Sequence, residues 1–532
     1  MRRYNQITLS MAIASVFTLF VGGCGGPVVR DRSPKIRVTD TIGSLTETFV
    51  VDAISVEGYG VVGTLAGTGS PECPPNIKSY LKRYILSRSS GERINIDAFL
   101  KSRDTAVVHL SGVMSTPLHQ KDRFDVKVEA LAGTQSRSLE DGWLYSAELK
   151  RIHTFGISTR CLAKVKGPVF MDTVGAPVSN KRTGYILGGG EVRDQYHMRL
   201  SLLKPDFSTA RAISDTINAR FGDSTARAAS AGVIELTPPI EYSTDKNRFI
   251  SIVQAMYLIS NQQLEEERTQ LYVERLTNSE NKYASEVALE ALGNASLARV
   301  DALLNSADQE VRFRAARCVL NLGGQGGSPV LRAIALDRSS KYRIEALEAL
   351  TAGANRMEAA GTCRQLLQDE DFSIRLAAYE QLRKLDDVTV SQELIGGRFY
   401  MEQIVRSRRQ EVYVSRSGLP RIVLFGSPIT CRENIFVRSP NGEVTINAPA
   451  GQKYVTLIRK LRNAPDAVKL QSTFVLSDII RKLCEEPLEK KGVLVRSGLN
   501  VSYAQAIAII KQLCDTGVAP AAFHAGKLPE IK

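Results

Sequence analysis

Hydrophobic positions recur with helical spacing in one segment that also carries a start signal and a stop signal. Ile213, Ile217 and Phe221 lie four residues apart, so their side chains stack on one face of a helix. Asp206 precedes this stretch and can accept hydrogen bonds from the first free backbone N–H groups. Gly222 follows it, as expected of a residue that ends a helix in a left-handed conformation. The pattern predicts a well-capped amphipathic helix from Asp206 to Phe221.

Elsewhere in the first half of the chain, alternating hydrophobic and polar positions predict strands with single helices between them. In DRFDVKVEAL, Phe124, Val126 and Val128 alternate with charged residues, so one face of this strand is buried and the other hydrated. Apolar residues at helical spacing predict helices at 76–87 and 248–260. Such a mixture is typical of an α+β domain, which we assign to residues 38–261.

Between residues 262 and 390 the strands give way to a repeated helix. Copies begin near residues 285, 310, 341 and 372, with shorter helices between them. Gly293, Gly323 and Gly353 end the first three copies at intervals of 30 residues. The segments resemble short HEAT-like repeats, whose helix pairs bury their apolar faces only by stacking into a curved solenoid. Such a solenoid binds proteins along its concave face or acts as a rigid spacer, and the sequence leaves both open.

A recurring arginine follows the turns of these repeats, at Arg312, Arg343 and Arg375. It resembles the arginine that follows the turn aspartate in such repeats. We expect Asp308 and Asp371 to accept hydrogen bonds from these side chains, which would form a ladder inside the array and not a functional site.

Residues 391–532 return to a mixture of strands and helices, assigned to a C-terminal α+β domain. Asn441-Gly442 is a hairpin signal between two strands. Two helices are predicted at 454–463 and 474–486. The last helix is predicted to begin at Ser502, with Gln505 completing a capping box. The predicted fold class is therefore α+β, interrupted by an α-solenoid.

The first residues have the features of an export signal. Two arginines precede the apolar segment Ile7–Val21, which is too short to span a membrane comfortably. The segment leads into Val21-Gly22-Gly23-Cys24, which resembles a bacterial lipobox. We expect a lipoprotein signal peptide over 1–23, a lipid on Cys24 and a flexible tether over 24–37. Gly25 favours sorting to the outer membrane. The alternative is an ordinary signal peptide in which Cys24 occurs by chance.

Composition narrows the possible partners. The chain has 69 Lys+Arg against 56 Asp+Glu, a net charge of +13 that allows acidic partners such as cell-wall carboxylates or anionic lipid. The basic residues are dispersed and aromatics make up only 7%, so nucleic-acid binding is not expected. Seven cysteines besides Cys24 include no CxxC pair, and the histidines are scattered. We therefore expect no metal site and no cofactor, and disulfide pairing stays open.

Glycines after the first strand match a nucleotide-binding motif in letters only. Gly58, Gly60 and Gly63 fit G-x-G-x-x-G, which must open a helix that receives a pyrophosphate. Glycines and prolines fill the segment TLAGTGSPECPP that follows, and they exclude that helix. A structural glycine-rich turn is the preferred interpretation.

No constellation of side chains predicts an enzyme. Asp122, Asp125 and Glu129 lie close together, but on turn or hydrated-face positions of a strand, where salt bridges or solvation account for them. We assign no catalytic residue and expect the protein not to be an enzyme.

Several stretches resemble the bacterial flagellar P-ring protein family. They are GYGVVGTLAGTG (58–69), RFDVKVEALAGTQSRSLEDGWLYSAELK (123–150), KPDFSTARAISDTINARFG (204–222), AGVIELTPP (231–239) and VSYAQAIAIIKQLCDTGVAPAAFHAGKLPEI (501–531). Together they cover the N-terminal half well and the last 30 residues loosely. The lipobox and the helical array are departures from the family pattern.

The resemblance implies an exported, non-enzymatic protein that assembles with copies of itself into a ring around the flagellar rod. It implies contacts with the rod and other basal-body ring proteins, with peptidoglycan as a further candidate partner. The ring would lie in the periplasm and serve as a bushing for the rod, here with a lipid anchor in the outer membrane. The alternative is an outer-membrane lipoprotein scaffold that recruits envelope proteins through its solenoid.

Overall fold

Six antiparallel strands form a closed barrel near the start of the computed structural model, which describes residues 37–49, 53–88, 95–115, 120–152, 160–174, 180–194, 198–242, 245–460, 466–490, 493–496 and 498–531. The first elements are α1 (Ile42–Leu45), β1 (Thr46–Phe49), β2 (Ala53–Gly63), α2 (Pro75–Arg88), α3 (Ile96–Leu100), β3 (Ala106–Ser115), β4 (Arg123–Ala130), β5 (Trp143–Arg151), β6 (Ala163–Pro168) and β7 (Thr183–Val192). The barrel closes in the order β2-β3-β4-β7-β6-β5. Val126 and Val128 are fully buried in its core, so the predicted alternation in β4 is confirmed.

The predicted glycine-rich turn is wrong, because Gly58, Gly60 and Gly63 all lie within β2. This strand pairs with β3 on one side and β5 on the other. A Cβ on Gly58 would lie 2.3 Å from the carbonyl oxygen of Glu148, and one on Gly60 would lie 2.9 Å from a methyl group of Leu144. The glycines therefore permit a close approach of β5 to β2 and do not make a turn.

A layer of sheet and helices follows the barrel. It adds β8 (Met198–Leu202), α4 (Phe207–Phe221), β9 (Ala226–Ser230), β10 (Val233–Leu236) and α5 (Lys246–Ala255). The sheet has the order β1-β8-β10-β9, and α4 and α5 share one apolar core with it. The predicted helix is confirmed as α4. The carboxylate of Asp206 accepts a hydrogen bond from the N–H of Thr209 at 2.7 Å, and Ile213 and Ile217 are fully buried.

The helix predicted at 248–260 is too long. In the structure α5 ends at Ala255, and Met256 adopts an extended conformation. Tyr257 then forms a β-bridge with Thr41. The apolar periodicity continues past the end of the helix because these residues remain in the same core, which spacing alone does not distinguish from helix.

The predicted solenoid is confirmed. Its helices are α6 (Gln262–Asn278), α7 (Lys282–Leu292), α8 (Asn294–Asp301), α9 (Gln309–Asn321), α10 (Gly327–Leu336), α11 (Arg343–Gly353), α12 (Arg356–Leu366) and α13 (Phe372–Lys384). They share one continuous apolar core. Gly293 and Gly323 have φ of +71° and +83°, the conformation that favours glycine where each long helix ends.

The expected aspartate–arginine ladder is wrong. Asp308 and Asp371 instead cap the N-termini of α9 and α13. Arg312 and Arg375 donate to backbone carbonyl groups of the turn before their own helix, and Arg343 pairs with a different carboxylate, that of Asp369, at 2.5 Å. The capping bonds satisfy backbone N–H groups that have no partner within the helix, so these two carboxylates are already engaged.

The C-terminal region contains two sheets and two helices. Its elements are β11 (Ser391–Ile395), β12 (Phe399–Ile404), β13 (Glu411–Val414), β14 (Arg421–Phe425), β15 (Ile435–Arg438), β16 (Val444–Ala448), β17 (Val455–Arg459), β18 (Val468–Ser472), α14 (Leu476–Cys484), β19 (Leu488–Lys490), β20 (Val493–Arg496), α15 (Tyr503–Asp515) and β21 (Ala522–Ala525). The larger sheets have the orders β11-β12-β14-β13-β21 and β15-β16-β17-β18, and β19 and β20 pair as a hairpin.

Two predictions in this region need correction. The helix predicted at 454–463 is wrong, because β17 lies there and buries Val455 and Leu457 between β16 and β18. The capping box at the start of α15 is only half formed. The N–H of Gln505 donates to the hydroxyl of Ser502 at 3.4 Å, but the Gln505 side chain donates to Asp141 of the barrel at 2.7 Å. Tertiary contacts override the local pattern in both places.

Candidate functional site

The acidic residues singled out from the sequence do not form a catalytic group. Glu129 forms an ion pair with Lys127 at 2.8 Å on the outer face of the barrel. Asp122 accepts a backbone hydrogen bond from Val192 through its own carbonyl oxygen at 2.9 Å. The carboxylate of Asp125 is engaged elsewhere, at the contact between the barrel and the C-terminal region. The carboxylates of Asp125 and Glu129 are therefore engaged with different partners.

The structure also bears on metal binding, membrane-spanning helices and the cysteines, within the residues that it describes. The described residues contain no cluster of three or more His, Cys, Asp or Glu that could hold a metal ion. Within the same residues, no helix is both long enough and apolar enough to cross a membrane. Cys318 and Cys363 are buried in the solenoid core, as expected, and both are free thiols. Cys24, the expected lipidation site, lies outside the described residues.

A buried group of charges joins the helical layer to the solenoid. We call this group, Arg248, Glu286, Glu290, Arg314 and Arg317, the Arg248 network. Arg248 of α5 donates to Glu286 of α7 at 2.8 Å and also contacts Glu290. Arg317 of α9 donates to both oxygens of Glu286, at 2.6 and 2.7 Å, and Arg314 donates to the same carboxylate at 3.1 Å. Three helices thus meet at one carboxylate, which is fully buried.

The electrostatics of the Arg248 network favour its charged form. Burial alone would raise the pKa of Glu286, but the charges and hydrogen bonds of Arg248 and Arg317 lower it to about 2. Burial alone would lower the pKa of Arg248, but the two glutamates raise it above its ordinary value. The ions therefore compensate one another, which is the condition for burying a charge at acceptable cost.

A second polar contact joins the end of the solenoid to the C-terminal sheet. Arg375 of α13 pairs with Glu411 of β13, and it donates to the carbonyl groups of Asp369 and Glu370 at 2.6 and 2.8 Å. His524 of β21 stacks on Phe372, with ring centroids 3.6 Å apart. Both contacts fix the solenoid to the strands that follow it.

The C-terminal region also returns to the barrel. Phe170 and Leu187 of the barrel belong to the same apolar core as Tyr503 of α15. Nearby, the carboxylate of Asp125 accepts hydrogen bonds from the N–H of Gly188 at 2.7 Å and of Gly418 at 2.9 Å. Burial raises the pKa of Asp125 despite these bonds. The helix α15, near the end of the chain, therefore packs against the barrel near its start.

Two cavities lie along these contacts. The larger, of about 810 Å³, is lined by α9, α11 and α13 of the solenoid and by residues 239–242 of the helical layer. The smaller, of about 450 Å³, lies between the barrel and the C-terminal region. Nothing in the sequence pattern indicated either cavity, because each is formed by segments that are far apart in the chain.

The charged contacts were also missed, although one signal was present. Glu286 and Glu290 lie four residues apart, so both glutamates occupy the same face of a helix rich in apolar residues. Arg248 precedes Ile252 by four residues, so it lies beside the apolar face of its helix. A charge in such a position requires a partner, but the sequence does not identify which one.

Sequence comparison confirms both resemblances. Residues 41–267 match the family described as flagellar P-ring protein, and residues 328–408 match HEAT repeats. The first match spans the barrel and the helical layer and ends within α6. The second covers the later part of the solenoid and continues past the end of β12. Residues 501–531 lie outside both matches, so the resemblance of the last helix to the family stays a prediction.

Individual relatives agree with the family match. A flagellar P-ring protein of Methylobacillus flagellatus is 28% identical over 204 residues, which is 35% of this chain and 52% of the relative. Flagellar P-ring protein 1 of Hahella chejuensis is 27% identical over 233 residues, 40% of this chain and 57% of the relative. One from Anaeromyxobacter dehalogenans is 28% identical over 220 residues, 38% and 56% respectively. The chain spans about half the length of these relatives.

Proposed function

We propose that this protein is a structural subunit of the flagellar basal body, assembling with copies of itself into a periplasmic ring around the rod. The family match carries the proposal, because residues 41–267 include every strand of the barrel and both helices of the adjoining layer. Relatives that bear the name flagellar P-ring protein align with 35% and 40% of this chain. The protein acts by shape and contact and not as an enzyme.

The polar contacts between the helical layer, the solenoid and the C-terminal sheet support a mechanical role for the protein. The Arg248 network fixes the solenoid to the helical layer, and Arg375 fixes the solenoid to the C-terminal sheet. Buried ion pairs hold one geometry, because any displacement leaves a buried charge without its partner. A subunit that serves as a bushing for a rotating rod benefits from layers that do not shift against one another.

We further propose that a lipid on Cys24 anchors the subunit to the outer membrane and that its positive charge assists contact with peptidoglycan. The net charge of +13 supports contact with wall carboxylates, since opposite charge raises the rate and strength of association. The short apolar segment before Cys24 supports the anchor.

The proposal is tested by deleting the gene and restoring it on a plasmid. Deletion is expected to abolish swimming on soft agar and to remove a ring from isolated basal bodies, and the wild-type gene restores both. Normal swimming with complete rings in the deletion strain would refute the proposal. Restoration with a Cys24→Ser gene separates the anchor from the ring: the variant is expected to move to the soluble periplasmic fraction.

The larger cavity favours a second candidate function, a scaffold that recruits envelope proteins through the solenoid. Glu345 and Glu348 are exposed and line this cavity. Reversing both charges in the full-length protein should reduce the recovery of cross-linked partners, whereas Glu280→Lys, on an exposed loop outside the cavity, should not. Equal recovery from both variants would exclude the scaffold function at this surface.

A further inference from the structure

The smaller cavity has the size and surroundings of a small-molecule site. Its volume of about 450 Å³ lies within the range of such sites, which occur preferentially between domains. Residues of both the barrel and the C-terminal region line it, among them Asp141, Trp143, Arg398, Arg459, Glu486 and Tyr503. Aromatic rings form part of the wall, and charged groups converge on the remainder.

Two neighbouring guanidinium groups line the cavity. Arg459 donates from Nη1 to the carbonyl oxygens of Leu499 and Asn500 at 2.6 and 2.5 Å, and Arg398 donates to the side-chain oxygen of Asn500. Arg398 pairs at 2.7 Å with the carboxylate of Glu486, which also lines the cavity. The carboxylate nearest to Arg459 is Glu443, at 3.9 Å. Arg459 is thus held mainly by neutral acceptors.

The positive charge of Arg459 is only partly compensated by its distant pair with Glu443. Burial lowers the pKa of Arg459, and the charge of Arg398 lowers it further against the opposing effect of the acidic neighbours. The first turn of α15, Tyr503 and Ala504, lines the same cavity and adds the partial positive charge of a helix N-terminus. An anion placed beside the two arginines would relieve their mutual repulsion.

The backbone around the cavity adopts uncommon conformations at three positions. Thr64, Asp141 and Asn500 have φ of +63°, +57° and +54°. This conformation is rare for residues other than glycine and costs most for a β-branched residue such as Thr64. The surrounding structure therefore holds the backbone of Thr64 in this conformation.

We propose that this cavity binds a small carboxylate, with its carboxylate group at Arg398 and Arg459 and its body against Trp143. Asp141 offers a complementary contact on the barrel side. Its carboxyl accepts a hydrogen bond from Gln505 at 2.7 Å, and burial raises its pKa. A hydroxyl or amide donor on the ligand can use the remaining acceptor capacity of this carboxyl. The ligand would bridge the barrel and the C-terminal region and stabilise their contact.

The chain carries its own reporter for this proposal. Trp143 is the single tryptophan, so a ligand that enters the cavity changes the intrinsic fluorescence of the full-length protein. The probes are N-acetylalanine, its amide, which lacks the negative charge, and inorganic phosphate. We expect saturable quenching or a spectral shift with N-acetylalanine, together with a higher melting temperature, and no response to the amide.

Substitutions locate the site. Arg459→Gln is expected to weaken binding of N-acetylalanine by at least about tenfold, because it removes a charge-assisted donor. Arg438→Gln, on the exposed side of β15, is the matched control and should bind as the wild type does. Ala504→Leu, which fills the cavity and leaves both arginines in place, should also abolish binding. This second variant keeps the test valid if Arg459→Gln does not fold.

Three results would overturn the proposal. They are the absence of any response to N-acetylalanine in the wild type, unchanged binding in both Arg459→Gln and Ala504→Leu, and equal binding of the amide. Stronger binding of phosphate than of the carboxylate would also overturn the assigned ligand class. None of these results depends on whether the protein forms a ring.

Discussion

A buried arginine, Arg248, and a half-buried one, Arg459, have opposite electrostatic surroundings. Arg248 lies between two glutamates, which raise its pKa above the ordinary value against the effect of burial. Arg459 donates to two backbone carbonyl groups beside another arginine, and its pKa is lowered. The first arrangement pairs the cation with two carboxylates, and the second holds it mainly with neutral acceptors. The contrast separates an arginine that holds layers together from one that is suited to binding.

The largest expected effect is at the centre of the Arg248 network. Glu286→Gln keeps the shape of the side chain but leaves three arginines around an uncharged group. We expect the free energy of unfolding to fall by about 3–5 kcal/mol, as for other buried ion pairs that lose one partner. Urea unfolding at pH 7 measures this. A loss below about 1 kcal/mol would show that the network does not hold the layers together.

The stability difference between the wild type and Glu286→Gln is expected to depend on pH. The pKa of Glu286 in the folded protein is about 2, below its ordinary value of 4.5. Its contribution is therefore complete above about pH 4.5 and is lost as pH falls toward 2. The difference in unfolding free energy between wild type and Glu286→Gln should shrink by about 2 kcal/mol from pH 7 to pH 3. If this difference in unfolding free energy stayed constant with pH, the lowered pKa of Glu286 would be contradicted.

Arg459→Gln should affect stability much less than Glu286→Gln. The substitution loses hydrogen bonds to two carbonyl groups but also removes a buried cation that lacks a close carboxylate. The net change in unfolding free energy is expected to be about 1 kcal/mol or less. A loss as large as that of Glu286→Gln would remove the distinction between the two arginines.

The smallest effect is expected at the rim of the Arg248 network. Glu310 pairs with Arg314 at 2.7 Å one helical turn away, but it remains partly exposed. Glu310→Gln should cost less than about 1 kcal/mol, because solvent screens the pair. It serves as the matched control for Glu286→Gln, since both change one glutamate beside the same arginine. Equal losses for the two variants would show that burial is not the deciding factor.

Local patterns predicted much of the fold. The capped helix at Asp206–Phe221, the alternating strand β4 and the repeated helices all follow from periods and caps in neighbouring residues. Predictions failed where distant segments decide the outcome. The crossing of β5 explains the glycines of β2, and neighbouring strands make 455–459 a strand.

The charged contacts and the cavities could not be predicted from the sequence, because they too are formed by distant segments. Arg248 and Glu286 are 38 residues apart, and Asp141 and Gln505 are 364 apart. Periodicity indicates which side chains face inward but not which of them meet. Residues far apart in sequence become neighbours only through the complete fold.

The central claim, that this protein is part of the ring around the rod, is tested most directly by electron microscopy of isolated basal bodies. A tag fused after Lys532 and labelled with a bulky probe should add density at a fixed radius on a periplasmic ring that encircles the rod. Unlabelled rings in a fully motile, tag-expressing strain would contradict the account.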